Sequence, residues 1–149
     1  MARALIAVGA LLVLSFGILG AAVYFTRDED SIAVDNLLAE DISRAIGTAE
    51  DRGEPVDLAQ VADFGWSEVL LVERGTPRQE ISREIGSEWN GSLPFQTGDL
   101  LIFLDGSRVE RHADYRGEGR FEGFRRPIAR IARADAKFEV RALVVRPSP

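Results

Sequence analysis

The side chains that most often perform nucleophilic catalysis are scarce in this chain. It contains one histidine, His112, one lysine, Lys137, and no cysteine. A Ser-His-acid triad would have to use His112, which we predict on the edge strand of a hairpin, where histidines are usually exposed to solvent. A Ser-Lys dyad would need a serine close to Lys137, and the neighbouring sequence has none. The composition therefore predicts no nucleophilic site and excludes most zinc centres.

Carboxylates are plentiful, but their spacing does not indicate a site. Glu68 and Glu73 bracket a predicted strand, and Glu80, Glu84 and Glu88 follow one another every four residues, which is typical of a solvated helix face. Hydrolysis of a glycosidic bond would need two carboxylates about 5 to 9 Å apart in a cleft. We predict no catalytic, cofactor-binding or metal-ligating residue, with a carboxylate-dependent cell-envelope hydrolase as the alternative.

Three short motifs are better explained without a ligand. The acidic residues at 28–30 lack the glycine and the distal glutamate of a calcium loop, so we interpret them as a juxtamembrane charge cluster. Residues 90–92 match the N-glycosylation pattern, which is short and recurs by chance. A phosphate-binding loop lies between a strand and the start of a helix. Gly117, Gly119 and Gly123 are not in such a position, so they predict no phosphate-binding loop.

Six phenylalanine and tryptophan residues lie outside the predicted strands and the membrane segment. We expect them to close the core between the sheet and its helices, and a ligand-binding groove is the alternative. These residues are Phe64, Trp66, Trp89, Phe95, Phe121 and Phe124.

Charge is distributed unevenly along the 149 residues. The formal net charge of −6 argues against a nucleic-acid-binding protein, which needs a basic surface. Residues 28–105 contain 18 acidic and 5 basic side chains, whereas residues 106–149 contain 6 acidic and 11 basic ones. Either the two halves attract each other within one fold, or the basic half meets anionic lipid or an acidic partner. The mixed signs in the second half favour attraction within the fold.

A membrane helix is the clearest predicted element. Residues 4–25 form an uninterrupted apolar run of 22 residues, in which Ser15 and Tyr24 are the only polar side chains. A helix of this length spans roughly 33 Å, enough to cross the hydrocarbon core of a bilayer. The run has no charge and no polar stripe, so it does not match the core helix of a soluble domain.

The flanking charges predict how this helix is oriented. Arg3 precedes it, and Asp28, Glu29 and Asp30 follow Arg27 on the other side, so the positive-inside tendency keeps the amino terminus in the cytoplasm. A cleaved signal peptide is the alternative, because residues 20–22 are small, but its apolar core is only about 7–15 residues long. The four predicted regions are a cytoplasmic N-terminus (1–3), a transmembrane helix (4–25), a juxtamembrane segment with an amphipathic helix (26–52) and an α+β extracytoplasmic domain (53–149).

Apolar periodicity and capping residues predict three helices after the membrane segment. Residues 31–46 repeat apolar side chains at helical spacing, with Gly47 as the stop. Asp57 is predicted to cap the start of a single helical turn. Residues 76–79, Thr-Pro-Arg-Gln, predict a helix that starts with a capping box, and Gly86 predicts its end.

Branched and alternating apolar residues predict the strands. Asp105-Gly106 is a hairpin turn signal. We interpret residues 115–127 as an ordered loop. Residues 128–134 fit either a helix or an edge strand. The predicted fold is α+β, with the N-terminal transmembrane helix followed by a small antiparallel sheet of three to five strands and helices packed on one face. The predicted strands are residues 68–73, 100–104, 107–112 and 138–145.

The order of the motifs between residues 53 and 86 is distinctive. Residues 66–69 read Trp-Ser-Glu-Val, and residues 76–86 begin with Thr-Pro and end with Ile-Gly. This order resembles an uncharacterised family of small bacterial proteins that have an amino-terminal membrane anchor, a W-D-x-V strand and a T-P-x-x-x-I-x-x-x-L-G helix. Ser67 and Ile85 stand where that family usually has Asp and Leu. The resemblance covers about a third of the chain and implies an anchored α+β domain, with no activity attached.

The sequence predicts a membrane-anchored extracytoplasmic protein that acts by binding, as an accessory subunit or an inhibitor of an envelope protein. The scarcity of side chains that commonly act in catalysis, with one histidine, one lysine and no cysteine, supports this hypothesis. The alternatives are the carboxylate-dependent hydrolase and an immunity protein that neutralises a toxin. The predicted partners are the membrane, through the single N-terminal helix, and an envelope protein, with no nucleic acid and no cofactor.

Overall fold

A computed structural model describes residues 35–91, 93 and 98–148. The predicted cytoplasmic N-terminus (1–3), the transmembrane helix (4–25) and the acidic cluster (28–30) lie outside the described residues. Among the helices that are described, none is long and apolar enough to cross a membrane.

The first helix, α1 (Asn36–Arg52), begins and ends later than the predicted range of residues 31–46. The carboxylate of Asp35 accepts a hydrogen bond from the Leu38 N–H at 2.9 Å and caps its start. The predicted stop at Gly47 is wrong, because the buried stripe of the helix continues beyond that glycine. The helix ends instead at Gly53, which has a left-handed conformation with φ of 64°. The stripe consists of Leu38, Ile42, Ile46 and Ala49.

Two shorter helices follow, α2 (Leu58–Val61) and α3 (Arg78–Ile85). The Asp57 cap of α2 is confirmed, since its carboxylate accepts the Ala59 N–H at 3.0 Å. The capping box predicted for α3 is wrong: the Thr76 hydroxyl donates to the Glu73 carbonyl at 2.6 Å, so it closes the preceding turn and does not cap the helix. Gly86 ends α3 as predicted.

Eight strands form two four-stranded sheets in the described part of the chain, so the prediction of one sheet of three to five strands is wrong. The first sheet has the order β4-β3-β2-β6 and is antiparallel throughout, and the second has the order β1-β7-β8-β5, in which only the β5–β8 pair is parallel. The strands are β1 (Val56–Asp57), β2 (Glu68–Val72), β3 (Asp99–Asp105), β4 (Arg108–Tyr115), β5 (Arg120–Phe121), β6 (Ile128–Ala132), β7 (Lys137–Arg141) and β8 (Val144–Pro147).

Residues 138–145, predicted as one strand, contain a sharp turn. Ala142 and Leu143 have positive φ angles of 51° and 56°, and they separate β7 from β8. Their N–H groups donate to the carboxylate of Glu50 on α1, at 2.9 and 3.2 Å. The carboxylate stabilises a backbone conformation that side chains other than glycine rarely adopt.

Alternate residues of the first sheet face two separate apolar cores. The odd-numbered residues of β2, such as Val69, pack with α1 and the second sheet, whereas the even-numbered ones, such as Leu70, pack with Ile81 and Ile85 of α3. Helices therefore cover both faces of this sheet, and the prediction that they pack on one face is wrong. The α+β class is confirmed.

Candidate functional site

The single histidine lies in the core and not at the surface. His112 is on the outer strand β4, as predicted, but its exposure is 0%, so the expected solvent exposure is wrong. The Asp35 N–H donates to the His112 carbonyl at 2.9 Å, and the Trp89 ring packs edge-on against the imidazole, with the ring centres 5.0 Å apart. Burial lowers the pKa of His112, although Asp114 and Asp35 oppose the shift.

The other polar residues singled out by the sequence have structural contacts. Lys137 forms an ion pair with Asp57 at 3.5 Å. Glu68 and Glu84 both form ion pairs with Arg130, at 2.6 and 3.1 Å. Glu84, which was predicted on a solvated helix face, therefore has a partner in the fold. Among the described residues, no group of three or more histidine, cysteine or acidic side chains could hold a metal ion.

The aromatic residues close the two cores, as predicted, wherever the structure describes them. Trp66 and Phe121 are buried in the core beneath α1, with Phe64 and Phe124 packed against it, whereas Trp89 belongs to the core beneath α3. Phe95 lies outside the described residues. Gly117 packs closely against α1. A Cβ at this position would lie 2.4 Å from the Ser43 hydroxyl oxygen, so there is no room for a side chain.

One small cleft, of about 220 Å³, brings two carboxylates together around a guanidinium group. Arg126 Nη1 lies 3.4 Å from an oxygen of Asp99 and 3.8 Å from an oxygen of Glu73, while its Nη2 donates to the Phe121 carbonyl at 2.6 Å. Burial raises the pKa of Asp99, against the opposing effect of Arg126, and burial also raises the pKa of Tyr115 to about 12.

The position of Arg126 decides what this cleft can do. A glycosidase places the substrate between its two carboxyl groups, but here the guanidinium group is the neighbour that Glu73 and Asp99 share. The cleft therefore joins the acidic half of the sequence to the basic half. Together with the Arg130 pairs, it confirms the prediction that the two halves attract each other within one fold.

A second, larger opening of about 530 Å³ runs along β6, and we call it the β6 groove. One wall is α3, with Glu80, Arg83 and Glu84, and the other is residues 123–127 with Pro147 at the end of β8. The strand β6 is the outer strand of the first sheet, paired only with β2 among the described strands. On the opposite outer strand, β4, the N–H of Asp35, the residue before α1, donates to the His112 carbonyl.

The basic side chains of the β6 groove differ in how they are paired. Arg126 and Arg130 are held by the carboxylates described above. Arg83 and Arg125 are exposed, and neither side chain forms an ion pair or hydrogen bond with any residue that the structure describes. Glu80, which also lines the groove, forms no ion pair with a described residue either, so its unpaired charged side chains are two arginines and one glutamate.

The sequence did not single out this groove. Residues 128–134 fitted a helix or an edge strand, and residues 115–127 were predicted as a loop. The edge strand is confirmed for Ile128–Ala132. A usable signal was present in Pro127, because proline is common where a strand begins at the edge of a sheet.

No protein-family model, curated protein or solved structure matches this chain. Function is therefore inferred from the geometry of its own residues.

Proposed function

We propose that the chain is a membrane-anchored extracytoplasmic protein that binds a protein partner at the β6 groove. The apolar run at residues 4–25 supports the anchor, because it is long enough to span a bilayer and carries no charge. Arg3 before this run, and Arg27 followed by the acidic residues 28–30 after it, are the flanking charges from which the cytoplasmic amino terminus and the external domain are proposed. The resemblance to small anchored bacterial proteins supports the same topology.

The single observation that carries the binding role is the outer strand β6, whose outer side pairs with no other strand that the structure describes. Natural proteins usually protect such an edge with a helix, a bulge or charge, because its backbone groups can pair with another chain. On the opposite outer strand, β4, the Asp35 N–H pairs with the His112 carbonyl, whereas β6 borders a groove of about 530 Å³ in the described part of the chain. An opening of this size beside a free edge is suited to binding a polypeptide segment.

Site-specific photocrosslinking in intact cells tests this proposal. A photoreactive amino acid in place of Arg125, in the full chain, is expected to yield a discrete cross-linked product in the membrane fraction. The matched control is Arg141, whose side chain is 85% exposed and lies outside the groove. A product from Arg125 alone supports a partner at the groove, whereas no product, or the same product from both positions, contradicts it. Retention of the chain in membranes after a carbonate wash tests the anchor.

The identity of the cross-linked partner decides between an accessory subunit and an inhibitor. An immunity protein is one case of such an inhibitor, and it requires the partner to be a toxin.

A further inference from the structure

The imidazole of His112 lies beside the core that holds α3 on the first sheet. His112 is opposite Ile102 of β3, so the two side chains share one face of the sheet, and both are 0% exposed. The ring of Trp89 packs edge-on against the imidazole. Ile102 and Trp89 belong to the same apolar core as Ile81 and Ile85 of α3. A charge on this imidazole would therefore lie among apolar groups, which disfavour the charged form.

Trp89 is connected to α3 by hydrogen bonds as well as by packing. Its N–H donates to the hydroxyl oxygen of Ser82 at 3.0 Å, and its carbonyl accepts from the Arg78 guanidinium at 2.6 Å. The same guanidinium donates to the Gly91 carbonyl at 3.1 Å. Because Arg78 and Ser82 both lie on α3, a movement of the indole away from the imidazole would strain the bonds that join this segment to the helix.

The charged groups that act on His112 come from β4 and from the residue before α1. Asp114 lies two residues further along β4, on the same face, and forms an ion pair with Arg116. Asp35 binds the His112 carbonyl and forms an ion pair with Arg111 at 3.0 Å. The β3 residue opposite and the indole carry no charge. Both carboxylates favour the charged imidazole, but burial, which lowers its pKa, has the larger effect.

We propose that His112 makes the attachment of α3 to the first sheet sensitive to acid. When the buried imidazole takes up a proton, its packing against Trp89 weakens and α3 loosens from the sheet. Since α3 is one wall of the β6 groove, acid also disrupts that opening. This property belongs to the fold and does not depend on what the groove binds, so it stands or fails separately from the proposed function.

The direction of the effect follows from proton binding by the folded and unfolded states. The pKa of histidine in an unfolded chain is about 6.5, and burial lowers the pKa of His112 in the folded protein. Below about pH 6.5 the unfolded state therefore binds more protons, so stability falls as the pH is lowered. Between the two pKa values, the equilibrium constant for unfolding rises by up to about tenfold per pH unit.

NMR of the histidine ring tests the proposal on the unmodified full chain in detergent micelles. Because the chain has one histidine, isotope labelling of this residue type gives a single imidazole to follow. We expect it to titrate below about pH 6.5. Over the same range, the amides of α3 should lose protection from hydrogen exchange, after correction for the intrinsic effect of pH. Titration at or above this pH, or unchanged protection of α3, overturns the proposal.

His112→Gln is the matched variant, because glutamine stays uncharged and keeps a polar side chain at this position. Urea unfolding is measured for both proteins at about pH 7 and about pH 5.5. The equilibrium constant for unfolding should rise about three- to tenfold more in the unmodified protein than in the variant. Carboxylates such as Asp99 contribute to both proteins and cancel in the comparison. An equal rise in both overturns the proposal, and if the variant does not fold, the NMR titration of the unmodified chain decides.

Discussion

Replacing Trp89 with alanine is expected to lower the free energy of unfolding by about 3–5 kcal/mol. The indole is fully buried and packs in the core between α3 and the first sheet, with Ile81, Leu100 and Ile102 in the same cluster. Its removal leaves a cavity that the surrounding strands cannot fill without moving. Arg78 holds the same segment by donating to the Trp89 carbonyl at 2.6 Å.

Urea denaturation followed by circular dichroism measures this effect, because the variant loses one of only two tryptophans and fluorescence would report on Trp66 alone. Trp89→Phe is the control, and it should lose clearly less stability since it retains an aromatic ring in the cavity. A loss below about 1 kcal/mol for Trp89→Ala would contradict the packing of this residue.

Replacing Arg133 with methionine is expected to cost about 2–4 kcal/mol of stability. Its guanidinium donates to the carbonyls of Ala59, Phe64 and Trp66, at 3.2, 3.1 and 3.3 Å, and it lies 5.0 Å from the centre of the Trp66 ring. Methionine preserves much of the apolar stem but leaves these three partly buried acceptors without their donor.

The matched control is Arg141→Met, because the Arg141 side chain is 85% exposed and forms an ion pair with Glu139 alone among the described residues. An exposed ion pair of this kind contributes little to stability, so the free energy of unfolding of Arg141→Met should differ by less than about 0.5 kcal/mol from that of the unchanged protein. Arg133→Lys should recover only part of the loss, since an ammonium group does not reproduce the planar fork of donors. Equal stability of Arg133→Met and Arg141→Met would refute the role assigned to Arg133.

The elements that were predicted well are those specified by adjacent residues. The apolar run at 100–104 and the turn at Asp105-Gly106 form a hairpin by local pattern alone. The cap at Asp57 and the end of α3 at Gly86 are equally local. Each of these features depends on hydrogen bonds or conformations within a few residues of the sequence.

Apart from the capping box at Thr76, whose hydroxyl bonds to the nearby Glu73 carbonyl, the errors arise where distant residues decide the local structure. Ala142 and Leu143 carry no turn signal, and their turn is stabilised by Glu50, which lies 92 and 93 residues away in the sequence. His112 has the strand position that was predicted, but Asp35 and Trp89 bury it. Gly47 stays inside α1 because the helix continues to pack on the sheet through Ala49.

The β6 groove could not be predicted for the same reason. It depends on which strand lies at the edge, and this is settled only when Ile128–Ala132 pairs with β2. It also depends on which arginines form ion pairs. Arg126 and Arg130 pair with carboxylates that are 27 to 62 residues away in the sequence. Arg83 and Arg125 form no ion pair with a described residue. Sequence spacing alone cannot distinguish the two pairs.

Amide hydrogen exchange along β6, measured by NMR on the full chain in micelles, tests the central claim most directly. If the edge is open, the amides of Ile128, Arg130 and Ala132 exchange quickly, whereas those of Ala129 and Ile131, which are bonded to β2, exchange slowly. Protection of all five amides would contradict an open edge.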